Sequence, residues 1–105
     1  RCLVPASHYF EFTGAKSPKT RWRFTRAGKD WFCFAGLIGR GKDGDAFTLL
    51  TVAAGPDVAP YHTRQPVVLD RGAWVAWLDG SGQSEDLLTP SPAGSLHVVE
   101  CPRAT

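Results

Sequence analysis

A chain of 105 residues with a net charge of +2, 43% hydrophobic and 21% charged, has the composition of one small globular domain and not of a disordered segment. No apolar run approaches the roughly 20 residues that a membrane-spanning helix requires. Arg1-Cys2-Leu3-Val4-Pro5 lacks the basic start and apolar stretch of a signal peptide, so neither a membrane partner nor export is expected and a cytoplasmic location is the default.

In chain order, short segments bounded by Gly, Pro and Asp recur, which is the pattern of a β-rich fold with helix in the minority. Strands are expected at Cys2 to Val4 and at His8 to Phe12. In the next, Arg21 to Thr25, alternation sets Trp22 and Phe24 on one face and Arg21, Arg23 and Thr25 on the other, a half-buried strand. Trp31 to Leu37 follows, and the nearly continuous apolar run Phe32 to Ile38 reads as a central strand covered on both faces. Gly39 to Asp45 reads as an exposed hairpin loop, and Phe47 to Ala53 and Pro66 to Leu69 as further strands. Arg71 to Leu78 is the clearest helix, with Asp70 as its N-cap and Trp74, Trp77 and Leu78 at i, i+3 and i+4 as its buried face; Asp79-Gly80 is its stop. Gly80 to Gly94 is a loop with one short turn around Glu85 to Leu88, and Leu96 to Glu100 closes the set. The whole predicts a single domain over residues 1–105, α+β but predominantly β, with one or two short helices.

Three groups of residues could carry chemistry. Lys16, Lys19, Arg21, Arg23, Arg26 and Lys29 are six of the twelve basic residues, with no acid among them. A basic strand face interleaved with aromatics suits single-stranded nucleic acid, because phosphate contacts supply most of that affinity. Basic side chains on a strand also serve simply to keep sheet edges apart. The second group is Pro60-Tyr61-His62-Thr63-Arg64-Gln65-Pro66, a proline-bracketed loop that would hold a proton-transferring His62 beside an anion-binding Arg64; a lone loop histidine is also commonly structural. The third is Glu11, flanked by Phe10 and Phe12. Pointing inward, it would be a proton donor near neutral pH; pointing outward, an ordinary surface charge, and alternation does not decide between them.

Metal and redox chemistry are not expected. Cys2, Cys33 and Cys101 are widely spaced with no CxxC pair, and neither His8 nor His97 has a ligand-spaced partner, so the cysteines read as reduced, core-filling thiols and no cofactor is implied.

Several blocks in order resemble one family. Arg1 to Ala6 followed by Tyr9-Phe10-Glu11-Phe12, then Phe34-Ala35-Gly36-Leu37, then Thr51-Val52-Ala53-Ala54, Ala59 to Leu69 and Trp74 to Asp79 are similar in sequence and spacing to the SRAP domain, the SOS response-associated peptidases. The resemblance is close over Arg1 to Asp79 and loose over Leu88 to Glu100, and corresponds to the C-terminal two-thirds of the domain. It implies an SRAP-like fold, incomplete at its N-terminus, with a positive groove that binds single-stranded DNA at abasic sites. It also implies covalent chemistry, in which an N-terminal cysteine bonds to the opened abasic sugar, and thiol-peptidase-type removal of the initiating methionine. Glu11 and His62 match the family's catalytic glutamate and histidine, and Thr51 and Arg64 its DNA-contacting positions; Arg21 and Arg23 are added from the basic cluster.

Departures accompany the matches. Thr63, Gln65 and Phe12 stand where the family usually has aspartate, methionine and tryptophan. The chain starts at Arg1 and has no methionine, so it reads as a piece without the segment bearing the nucleophile. Cys2, inside a strand and behind Arg1, offers no free α-amine. Alone, the chain is expected to be inactive and prone to association, its partner being either the absent N-terminal segment as a second chain or another copy of itself. A non-catalytic single-strand-binding module is the alternative.

Overall fold

The computed structural model describes residues 1–16 and 18–102. The apolar run sits where the sequence places it, at the centre. Strand β4, Phe32–Gly41, is flanked on one side by β1, Cys2–Ala6, with Cys2 opposite Gly36 and Ala6 opposite Phe32, and on the other by β5, Gly44–Leu49, and β8, Val68–Leu69. Residues 32–36 are buried. Leu37 and Ile38 are exposed, Ile38 to 60%, so the core ends earlier than the run: beyond Gly36 the strand becomes one arm of the β4/β5 hairpin. Both arms continue almost to its tip, which shortens the expected loop of residues 39–45 to a turn at Lys42-Asp43, and Gly44 supplies a φ of 116° there that other residues rarely adopt.

A second sheet orders β2, Tyr9–Thr13, β3, Thr20–Arg26, and β9, Leu96–Glu100. The alternation in β3 is borne out, with Phe24 fully buried, Trp22 half-buried and Arg23 exposed. The expected strand over residues 47–53 is interrupted at Leu50, and β6, Thr51–Ala53, pairs instead with β7, Arg64–Pro66. Three backbone bonds tie that small sheet to the centre: Ala35 N–H donates to Val67 O (2.9 Å), Leu50 N–H to Ala35 O (3.0 Å) and Val67 N–H to Leu50 O (2.9 Å).

The helix differs in detail from expectation. A 3-10 turn, Arg71–Ala73, leads into α1, Trp74–Asp79, with no side-chain cap from Asp70. The Asp70 carboxylate is engaged elsewhere, its Oδ1 accepting from both Arg26 Nη2 at 3.1 Å and Nε at 3.3 Å, an ion pair that takes the place of a cap to backbone N–H groups. Trp77 is buried and its Nε1–H donates to Cys2 O at 2.8 Å. Leu78 is 49% exposed, so the buried face is Trp74 and Trp77 without it. Gly80, with φ 75°, ends the helix as expected. The short turn became α2, Ser84–Leu87. Trp77 packs with Ala35, Val67 and Leu69 in one core cluster, and Phe24, Val58 and Leu96 form a second under Tyr9, Trp22 and Tyr61.

Candidate functional site

The site is assembled by the segment between β6 and β7. Two tight turns follow Gly55, with Ala59 N–H donating to Gly55 O (2.9 Å) and His62 N–H to Val58 O (3.0 Å). Val58 plugs the second core, and Tyr61 packs on Trp22 and Phe24, with ring centroids at 4.7 and 5.6 Å. These contacts press the turn against the β2–β3 sheet and leave His62 at its rim. Gln65, a departure from the family pattern, is 1% exposed, and its Oε1 accepts Gly55 N–H at 2.7 Å. It thereby pins the start of the turn whose end is His62, a role without a signal in the sequence. A Cβ on Gly55 would lie 2.7 Å from Ser91 O and 3.0 Å from Pro90 Cβ. Gly55→Ala is therefore expected to cost about 1–3 kcal/mol through overpacking, measurable as a fall of several degrees in the calorimetric Tm.

Register settles the orientation of Glu11. It lies directly across from Trp22, and Tyr9 across from Phe24, so Glu11 shares the inward face with these aromatics. Its Oε2 is 3.5 Å from His62 Nδ1, with the two side chains 21% and 46% exposed. Burial pushes the Glu11 carboxyl above its ordinary value, and the neighbouring His62 only partly offsets this. Tyr9, missed by the sequence reading, underlies the pair; burial, Glu11 and Asp57 all keep its phenol protonated.

Arg64 adjoins the pair through its backbone. Its N–H donates to His62 Nδ1 at 3.0 Å, and its carbonyl oxygen is also 3.0 Å from that nitrogen. A ring with a lone pair on Nδ1 accepts the N–H; a ring protonated there donates to the carbonyl or to Glu11. Either protonation state is held without rearranging the loop. The Arg64 guanidinium uses Nη2 alone on Thr51, donating to its carbonyl (2.8 Å) and hydroxyl (3.1 Å), and its remaining N–H groups are left to meet an anion.

Glu11, His62, Arg64 and Thr51 are thus one cluster, which the structure brings together from β2, β6, β7 and the loop between the last two. Arg21 and Arg23 are not part of it. Flanking Trp22 in an alternating strand, they lie on the opposite face of the sheet from Glu11, and Arg21 is stacked on Phe10 (4.7 Å) with its Nε–H donating to Cys101 O at 2.9 Å. Among the described residues, no group of three or more His, Cys, Asp or Glu is placed to hold a metal ion.

The carboxyl shift makes a testable statement about stability. The unfolded chain has the lower Glu11 pKa, so as pH rises past it the unfolded state loses its proton first. The native state binds more protons in that interval, and the unfolding free energy falls as pH rises through the native pKa. Glu11→Gln should flatten this slope in urea midpoints measured from acidic to neutral pH; an unchanged slope would mean that Glu11 is not the group responsible.

The sequence model of the SOS response associated peptidase (SRAP) family matches residues 1–104. The chain belongs to this family. Two solved structures are similar to it. A protein from Bordetella bronchiseptica is 30% identical with a TM-score of 0.77, covering 97% of this chain and 55% of its own. One from Bacteroides thetaiotaomicron is 21% identical with a TM-score of 0.80, covering 96% and 49%, a likeness of fold alone. The SRAP chain described here spans about half the length of these two structures. Comparison with curated proteins finds no match. The mostly β architecture with short helices is the SRAP-like fold expected from the sequence, and no helix in it is long and apolar enough to cross a membrane.

Proposed function

We propose that this chain carries the acid–base half of an SRAP site that binds single-stranded DNA at abasic positions and bonds covalently to the opened sugar, and that also processes its own N-terminus as a thiol peptidase. The observation carrying this reading is the Glu11–His62 pair, 3.5 Å apart, beside an arginine with donors to spare. An abasic sugar rests as a closed hemiacetal. Opening it requires a proton taken from the anomeric hydroxyl and one given to the ring oxygen. The His62 imidazole suits the first task, and Glu11, whose carboxyl burial pushes toward its acid form, suits the second. Condensing the aldehyde with an amine expels water, which again needs a proton delivered, and the carboxyl can supply it once His62, 3.5 Å away, has passed back the proton it took from the anomeric hydroxyl. Arg64, steadied by Thr51, would hold a flanking phosphate.

The attacking thiol and amine belong to a cysteine at a free N-terminus ahead of Arg1. Cys2 cannot serve: it lies in β1 opposite Gly36, and its nitrogen is in the peptide bond to Arg1. The test is a denaturing gel of this chain, and of the chain preceded by an SRAP N-terminal segment beginning Met-Cys, against single strands with and without one abasic site. A heat-stable adduct is expected only with the extended protein and only on the abasic strand. Salt-sensitive binding that ignores abasic sites, with no adduct, would overturn the covalent reading in favour of simple single-strand binding.

A further inference from the structure

A second recognition surface lies away from the Glu11–His62 cluster. Between the turn joining β3 to β4 and the 3-10 turn before α1 is a cleft of about 340 Å3, which shares no lining residue with the cluster. One wall is Trp74, fixed by its Nε1–H donating to Leu69 O at 2.9 Å. Over it stands Trp31, its ring 5.5 Å away and tilted by 40°, yet 47% exposed. A tryptophan showing half its surface beside an open cleft offers a large stacking platform that the fold itself leaves uncovered.

The charges around the cleft choose the ligand. Arg26 is spent on Asp70 (3.1 Å) and on Ser95 O (2.9 Å), so that ion pair contributes a rigid wall with no net charge. Lys29 and Arg71 also line the cleft; among the described residues neither has an acid within ion-pair distance, and Asp30 has no base within it. Two unpaired cations therefore face one unpaired acid. A cationic ligand is disfavoured by that balance, and also because the Arg71 guanidinium already occupies the face of Trp74 at 5.2 Å. An aromatic ring carrying a negative group fits both features, and the volume lies at the small end of the roughly 300–1,000 Å3 of ligand pockets.

We infer that this cleft binds one nucleotide of a single strand, its base stacked on Trp31 and its phosphate between Lys29 and Arg71. An intact strand has everything the cleft recognises, so the inference does not depend on abasic-site chemistry. Its test is fluorescence anisotropy of a short labelled oligothymidylate, without abasic sites, titrated with the 105-residue chain. Trp31→Ala should weaken binding about tenfold, within the range of one lost base stack, and Trp31→Phe should restore most of it. Lys29→Ala and Arg71→Ala should each reduce the slope of log affinity against log salt by about 0.7. Val75→Ala, 70% exposed on α1 and lining neither the cleft nor the Glu11–His62 cluster, should change neither quantity. Absence of binding by the unaltered chain, or full affinity in Trp31→Ala, overturns the inference; full affinity in Trp31→Ala with loss in Arg23→Ala would place the strand on the basic face of β3.

Discussion

Glu11→Gln and His62→Ala should each slow adduct formation on an abasic single strand by about 10²- to 10⁴-fold, the usual worth of a positioned general acid or base. The extended protein is the one to measure, in single turnover on denaturing gels. Glutamine preserves the shape of the side chain and its reach toward His62 Nδ1, but it has no proton to deliver, so the loss would report chemistry and not packing. Because the two groups are 3.5 Å apart and on the proposed mechanism share one proton path, the double variant should be scarcely slower than the worse single one. The pH dependence gives a further signature. On the proposed mechanism Glu11 gives up a proton, so the rate should fall as pH rises through its elevated pKa, and that limb should vanish in Glu11→Gln. Variants with unaltered rates would assign the proton transfers to other groups.

Trp77→Ala should produce the largest loss of stability, about 3–5 kcal/mol, out of the 5–15 kcal/mol that a domain of this size typically has. The indole is 2% exposed and sits among Ala35, Val67 and Leu69. Its Nε1–H is the link between α1 and Cys2 O in β1, and the Arg1 guanidinium covers its outer face at 4.3 Å. Trp77→Phe should cost less, since most of the volume remains, but about 1 kcal/mol of the loss would persist with the missing hydrogen bond. Urea midpoints at constant m-value would measure both. A loss under about 1 kcal/mol for Trp77→Ala would show that α1 docks on the sheet without contributing to the core.

Local patterns reached a good deal of this molecule because they report on faces and ends. The alternation of Trp22 and Phe24, the first five residues of the apolar run expected over Phe32 to Ile38, and the glycine stop at Gly80 each depend on neighbours within a few residues, and these are found where the residues predict them. The family blocks likewise brought Glu11 and His62 to notice, although their chain separation is large and no periodicity joins them.

Competition between distant partners decided the rest. Asp70 is a good cap by residue type, but its Oδ1 is taken by Arg26, which β3 brings close. Leu78 has the spacing of a buried residue, but α1 lies against the sheet through Trp77 and leaves Leu78 49% exposed. Gln65 looks like a lapse from the family pattern until Gly55 N–H is found at its Oε1, and Arg21 leaves the candidate site because alternation across Trp22 turns it to the other face. The sequence by itself determined which residues could carry charge and protons and where most of the strands would lie, because those are properties of side chains and near neighbours. Only the tertiary structure decided that Glu11 faces inward, that it meets His62 and that burial raises its pKa, since register, contact and desolvation arise when strands distant in the chain pack together.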